Sequence, residues 1–495
     1  MPSLPSNAPA ILIPRKESAF RLFTLPQKIF WTLCLLLLIG GIYHNGKTGL
    51  IWLNAGLTFI YLAVTFYKMV MITLSAAGGK QHHPDMLLAH EPPSPHQPDL
   101  SNNEDWPAYT VLVPLFRETE VLPKLVENLS RLDYPKEKLQ IILLLESVDK
   151  ETVAAAEAMN LQAPFFTLVV PDSYPRTKPK ACNVALPVST GEYLVIFDAE
   201  DRPEPDQLKK AITAFREAPD NVICQQARLN FYNRDHNLLT KWFTVDYSTW
   251  FDLYLPGLAL SDAPIPLGGT SNHFKLAALR KLGGWDAFNV AEDCDLGMRL
   301  YKKGYRTQVI DSTTWEEACS HPGFWIKQRS RWVKGYIQTF FVHTRNPWSS
   351  FRALGLTRTL HFLALTAGLF FPCLINPFYW VLTALWVAYR PAEVGAYFPT
   401  PIFIMGFICL FLGNFALIYL GMLGCCARRY YDLVKWALLL PPYWAMVSIA
   451  SWKAAWQLIV KPHYWEKTKH GLSSDKEPPA PKKTPETADA TMESV

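Results

Sequence analysis

The sequence predicts an α/β domain with a mainly parallel sheet, inserted between groups of membrane-crossing helices. Three observations carry that expectation. Residues 29–46 and 48–67 near the start, and 359–389 and 394–427 near the end, contain no Asp, Glu, Lys or Arg. Between them, from Trp106 onward, short apolar runs alternate with polar stretches of helical pattern. The composition is 49% hydrophobic and 18% charged, with 17 Trp and 28 Phe, which is too apolar and aromatic for an ordinary soluble enzyme. A length of 495 residues accommodates more than one unit.

Some classes are excluded at once. A net charge of +5 is small for this length and gives no basic footprint for nucleic acid. Nine Cys lie scattered without a CxxC or a His/Cys ligand spacing, which argues against a zinc site or a disulfide framework. Cys425-Cys426 sit at the end of an apolar run, where acylation is conceivable but an inert pair is the expectation. The first apolar run lacks a small-residue cleavage site, so no removable signal peptide is expected.

Taken in order, residues 1–80 are expected to form two transmembrane helices, each apolar run being long enough for a hydrocarbon core of about 30 Å. Arg15, Lys16, Arg21 and Lys28 precede the first run and only Lys47 separates the two, which places the N-terminus in the cytoplasm. Residues 81–107, rich in Pro, His, Asn and Asp, read as a linker. Residues 108–345 read as a cytosolic catalytic domain. Its expected strands are Tyr109–Phe116, Leu139–Leu145, Phe165–Val170 and Tyr193–Phe197, with helices Pro123–Leu132, Thr152–Met159 and Pro205–Phe215 between them. Such alternation implies right-handed crossovers and a sheet covered on both faces. Residues 346–472 read as C-terminal transmembrane or interfacial helices. Pro372, Pro377 and Pro441-Pro442 allow broken or re-entrant segments there and leave the number of spans open. Residues 473–495 have the composition of a disordered tail.

Ligands in open α/β sheets bind beyond the carboxyl ends of the strands, where Glu118, Glu146 and Asp198 fall. Asp198-Ala199-Glu200-Asp201 packs three acids after an apolar strand. They repel one another unless a cation joins them, and Mg²⁺ or Mn²⁺ takes oxygen ligands of this kind together with substrate phosphates. An acidic helix start is the plainer alternative. The loop from Arg176 to Asn183 brings cations before a helix, either with Lys180 as a phosphate or nucleotide contact or as a solvated basic turn. The small residues of Leu267–Phe274 allow close backbone approach to a sugar, while His273 suits a buried structural histidine. Glu292-Asp293 opens a helix and offers either a cap or a general base. Gln328-Arg329-Ser330-Arg331-Trp332 lies in a stretch with the spacing of an interfacial helix, whose arginines also suit lipid phosphates.

Together these stretches resemble family 2 glycosyltransferases of the GT-A fold, in particular the membrane-embedded processive β-glycan synthases of the cellulose, curdlan, chitin and hyaluronan type. The resemblance covers about residues 108–345, and a QxxRW match at Gln328, Arg331 and Trp332 after an ED pair is its most specific part. It implies a DxD-like metal site at Asp198 and Glu200, with Asp201 adjacent and Glu in place of the second Asp. It implies a catalytic base at Asp293 beside Glu292, in AED rather than TED. Pro114, Phe116, Glu118, Glu146, Lys180 and Asp198 would hold the nucleotide, with Glu146 standing where the family has Asp. Gln328, Arg329, Arg331 and Trp332 would meet acceptor and pyrophosphate. Trp465, Lys467, Thr468 and His470 resemble a cytosolic gating element, a looser match that favours an even number of spans.

The function so implied is inverting, processive polymerisation of a nucleotide sugar, UDP-glucose first, into a β-linked polysaccharide that is passed across a bacterial inner or plasma membrane. The expected partners are the nucleotide sugar, the growing polysaccharide, membrane lipids and an accessory export subunit, with no nucleic acid. Two alternatives stay open: single-sugar transfer to a lipid carrier, and a catalytically dead membrane scaffold or sugar sensor.

Overall fold

The computed structural model describes residues 13–82, 105–390, 392–464 and 466. Two long helices, α1 (Leu25–Asn45) and α2 (Lys47–His82), come first. The α/β part then runs β1 (Tyr109–Leu115), α3 (Leu122–Ser130), β2 (Leu139–Glu146), α4 (Lys150–Ala158), β3 (Phe165–Val170), α5 (Lys178–Ala185) and β4 (Tyr193–Ile196). These four strands lie within one residue of their expected bounds, and they pair in parallel. Their apolar runs supply both faces of the sheet. Val111 and Val113 enter the core under α3 and α6, while Leu112 between them enters the core shared with α5, α7 and α8.

The second half continues with β5 (Arg202–Pro203), α6 (Gln207–Glu217), β6 (Val222–Phe231), α7 (Leu238–Thr249), α8 (Leu255–Leu260), β7 (Asn272–Lys275), α9 (Leu276–Lys281), α10 (Glu292–Lys302) and β8 (Arg306–Glu316). The eight strands form one sheet in the order β3-β2-β1-β4-β7-β6-β8-β5. The sheet is mixed: β6 pairs with β8 in parallel, so most of the pairing is parallel as expected, while β7 runs antiparallel to both β4 and β6, and β5 runs antiparallel to β8. A single turn of π-helix, Trp250–Tyr254, joins α7 to α8. There Gly257 meets α2 so closely that a methyl group in place of its hydrogen would stand 1.9 Å from the Met71 carbonyl oxygen. That approach seats the α/β domain on the end of α2.

The remaining helices are α11 (Pro322–His343), α12 (Pro347–Tyr389), α13 (Ala392–Gly395), α14 (Thr400–Phe407), α15 (Asn414–Ala427), α16 (Val434–Ala437) and α17 (Leu440–Val460). Among the described residues, four helices are long and apolar enough to cross a membrane, Leu25–Asn45, Lys47–Ala77, Leu354–Tyr389 and Thr400–Ala427, and the bent pair Tyr431–Ala437 with Leu440–Val460 would make a fifth if it is one span. Among them α2 is the common neighbour, packing against α1, α12, α14 and α15. Asn54 and Thr58 of α2 bond to Tyr379 of α12, and Asn54 also reaches the Tyr397 carbonyl. The helix pair ending in α17 is bent by 66°. Both ends of α17 lie against α11: Tyr443 accepts from Arg329 at 2.6 Å near one end, and Gln457 accepts from Lys334 at 3.3 Å near the other.

A candidate active site at the strand ends

Asp198 follows β4, and its backbone N–H donates to Asp201 Oδ2 at 2.7 Å, closing the acidic turn. Asp201 is fully buried and takes a further hydrogen bond from the Thr270 hydroxyl, while its Oδ1 is buried without a partner. Burial, then the neighbouring Asp198 and Glu200, pushes the Asp201 carboxyl well above the usual range. Glu316, at the end of β8, is raised in the same way by burial and by Asp201, Glu200 and Asp198. Four acids thus share this corner of the sheet.

Lys178 faces them. It is the first residue of α5, and its ammonium donates to Asp198 Oδ1 and, at 2.7 Å, to the Gly269 carbonyl. Burial opposes its charge, but Asp198 and Glu292 hold its pKa above the ordinary value. The same Gly269 runs beside Asp293, where a methyl on the glycine would stand 3.5 Å from Asp293 Oδ2. Asp293 Oδ1 accepts the Cys294 backbone N–H at 2.6 Å. Burial pushes Asp293 up to about 6, and burial with Asp293 beside it pushes Glu292 up to about 8. Arg331 looks into this acidic field. Burial lowers its pKa, while Glu292, Asp198, Asp293 and Glu200 oppose that shift.

Beside Lys178 opens a cleft of about 170 Å³ lined by Pro114, Phe116, Glu118, Glu146, Arg176 and Lys178, among others. The first four of these are expected nucleotide residues, and they share one wall. Lys180 lies beneath it, paired with Glu146 at 2.8 Å and bonded to the Pro171 carbonyl at 3.2 Å, fully buried. Lys178 and Lys180 are therefore split between two tasks.

The Gln328–Trp332 stretch is divided as well. Gln328 Oε1 is buried without a partner. Arg331 turns toward the acids, whereas Arg329 turns to Asp246 and Tyr443, each at 2.6 Å. Arg329 also stacks on Trp332 at 4.9 Å and on Trp325 at 5.1 Å. Trp332 in turn packs near Phe243 at 6.0 Å and Tyr247 at 6.2 Å. Arg329 thus sits apart from the acidic centre. His273 bonds to Tyr109 at 2.6 Å and to Gln207 at 3.3 Å, and burial holds it down at about 3, a neutral ring inside the sheet. Trp465, Lys467, Thr468 and His470 lie outside the described residues.

α10 and α11 are locked together at the point that presents Asp293 and Arg331. Gly335 leaves so little room that an added methyl would stand 2.2 Å from Ala291 Cβ and 2.5 Å from Ala291 N. Val290 N–H donates to Gln338 at 3.0 Å, and Asn289 donates to Thr339 at 2.9 Å. Gly335→Val is expected to destabilise the protein by about 1–3 kcal/mol through overpacking. It should depress transfer more than donor binding, and thermal unfolding with a parallel donor-binding titration measures both.

The acids meet the test for a divalent cation in one respect and limit it in another. Asp201 keeps an orphaned buried oxygen next to Asp198 and Glu200. Yet among the described residues no three His, Cys, Asp or Glu side chains are gathered closely enough to hold a metal by themselves. That suits Mg²⁺ or Mn²⁺ bound through one or two carboxylates and completed by substrate phosphates.

Residues 193–420 match the family model described as glycosyl transferase family group 2. The probable glycosyltransferase YdaM of Bacillus subtilis (strain 168) is 24% identical over 293 residues, covering 56% of this chain and 66% of that protein, just under two thirds of its length. Among solved structures, the mannosyltransferase PcManGT from Pyrobaculum calidifontis, in complex with GDP-Man and Mn²⁺, aligns with 19% identity over 81% of this chain and 99% of that one, at a TM-score of 0.47. The S. aureus TarS fragment 1–349 in complex with UDP-GlcNAc aligns with 14% identity over 72% of this chain and 93% of that one, at a TM-score of 0.37. The stretch matched by the family model begins at β4, takes in Asp198, Asp293 and Trp332, and runs on into α15.

Proposed function

We propose that the protein is an inverting glycosyltransferase that moves a sugar from a nucleoside diphosphate to a hydroxyl of a growing β-linked glycan at a membrane surface. The observation that carries this reading is the convergence of Lys178, Asp198, Gly269 and Asp293 at one point, with Arg331 in the same field and a cleft alongside. Asp293 takes the proton from the acceptor hydroxyl. The oxygen attacks the anomeric carbon from the face opposite the diphosphate. The bond from that carbon to the phosphate oxygen breaks, and the nucleoside diphosphate leaves with the electron pair. Lys178 and Arg331 offset the charge that collects on it. When bound, Mg²⁺ or Mn²⁺ held by Asp198 and by Glu200 or Asp201 neutralises charge on the same diphosphate. Trp332 offers its ring to the acceptor sugar, and UDP-glucose is the first donor to test.

The apolar helices hold this domain at the inner face of the membrane in the proposal, with the segment before α1 and the segment after α17 both on the cytosolic side. Four spans and an α17 that lies along α11 agree with that arrangement. The apolar helices share α2 as their common neighbour. The second reading is transfer of a single sugar to a lipid-borne acceptor. Purified protein in nanodiscs with Mg²⁺ or Mn²⁺ and radiolabelled UDP-glucose, UDP-N-acetylglucosamine or GDP-mannose separates the two. A high-molecular-weight, glycanase-sensitive product supports polymerisation. A one-sugar lipid product replaces it with carrier transfer, and no transfer from any donor rejects both.

A further inference from the structure

The loop from Gly284 to Ala291, which delivers Glu292 and Asp293 to the site, is held from outside the catalytic fold. Asp286 in that loop is 1% exposed. Its carboxylate accepts from the Ser18 hydroxyl at 2.7 Å, from the Ala19 backbone N–H at 2.5 Å and from the Phe288 N–H at 3.1 Å. Ser18 and Ala19 are fully buried although they belong to the segment that precedes α1. Phe20 of that segment meets Phe288 edge to face at 4.9 Å. Arg345, just beyond α11, donates to the carbonyls of Lys16 at 2.6 Å, Ser18 at 3.0 Å and Arg21. From the other end of the chain, His463 contacts the Phe288 carbonyl at 3.2 Å, and Gln338, which holds Val290, bonds to the Pro462 carbonyl at 3.0 Å.

A buried carboxylate with three donors is well satisfied: Ser18 and Phe288 share one oxygen and the Ala19 N–H serves the other. Two of the three come from a segment more than two hundred residues away in sequence. The loop is fixed by side chains rather than by a ladder: Asn183 holds Trp285, Thr177 donates to the Ala287 carbonyl and Arg299 to the Gly284 carbonyl, and the strap holds Asp286. We propose that the segment before α1 is a strap that positions the general base, with Asp286 as the positioning residue through which it acts. This rests on Asp293 serving as that base. Asp286 touches neither donor nor acceptor; it sets where Asp293 stands relative to Lys178 and Arg331. Small displacements of a reacting group cost much more in turnover than in ground-state binding. The strap is continuous with α1, so the seating of α1 in the bilayer and the placement of the base are mechanically linked.

The test uses full-length protein in nanodiscs with the labelled donors, comparing wild type with Asp286→Asn, Ser18→Ala and Arg345→Ala. Asp286→Asn turns an amide N–H toward a backbone N–H, whereas Ser18→Ala removes one hydroxyl, which donates to Asp286 and accepts from the Phe20 N–H, and keeps the fold testable if the first variant fails to assemble. Amide hydrogen exchange across residues 284–294, donor binding and the separate kcat and donor KM are measured. The expected result for Ser18→Ala and Arg345→Ala is faster exchange in that loop and a kcat lowered about 10- to 100-fold at unchanged donor KM. Full kcat with faster exchange overturns the strap, since the contact is then structural only, and unchanged exchange overturns it as well. A wild-type protein that transfers no sugar rejects the underlying function, whereas active wild type with equally active variants rejects the strap alone.

Discussion

Asp293→Asn is expected to lower kcat by roughly 10²–10⁴-fold, the range for loss of a positioned general base, while donor binding persists. The substitution keeps the acceptor that the Cys294 N–H uses and removes the proton sink. The pH dependence gives the prediction a second edge. The carboxylate form is the active one, and burial pushes Asp293 up to about 6. Activity in the wild type should therefore rise as pH rises through about 6, and the limb should vanish in Asp293→Asn. Glu292, pushed up to about 8, stays protonated over that window and keeps a second negative charge away from the base. Radiolabel transfer between pH 5 and 8 checks this, and an Asp293→Asn protein with the wild-type rate and profile would remove Asp293 from the chemistry.

Lys178→Ala has the next largest expected effect. The ammonium ties Asp198 to the Gly269 carbonyl, so it aligns the acidic turn with the wall beside Asp293. As a donor aimed at charge that builds on the departing diphosphate, its loss should cost about 10²–10³-fold in kcat. The variant also strips Asp198 of its resident cation. Mn²⁺ should consequently bind more tightly without nucleotide, although turnover falls. Paramagnetic titration of Mn²⁺ against both proteins tests this; weaker or equal Mn²⁺ binding in Lys178→Ala would mean that Lys178 and the metal do not share Asp198.

The first half of the fold was legible because β1, β2 and β4 are buried on both faces and all four strands read as apolar runs, even though Phe166 and Val169 of β3 are exposed. The second half was not, because its strands are made of polar residues that face one another. β6 carries Gln225, Gln226, Arg228 and Asn230, and Gln226 spends its side chain on the Gly268 N–H at 2.7 Å and the Thr270 carbonyl at 3.1 Å. A strand that holds a loop by side-chain hydrogen bonds has no apolar alternation to find. The same limit applied to the two lysines of α5. Sequence marked the basic stretch, but two positions apart on a helix point to opposite sides, and only the assembled sheet shows that Lys178 meets Asp198 while Lys180 meets Glu146. Arg329 and Arg331 were separated by the same geometry. α17 reaches the length and composition of a span only together with the bent segment Tyr431–Ala437, and its contacts along α11 show where it runs.

The central place of α2 carries a consequence for how the protein is made. α2 is synthesised early, but α12, α14 and α15 emerge only after the whole α/β domain. At translation rates of roughly 5–20 residues per second, that interval lasts on the order of tens of seconds. Throughout it, Asn54 and Thr58 of α2 are without Tyr379. Newborn chains arrested before α12 should therefore be the form that quality-control proteases and insertion chaperones engage, and replacing Asn54 by an apolar residue should shorten that engagement even as it loosens the finished assembly.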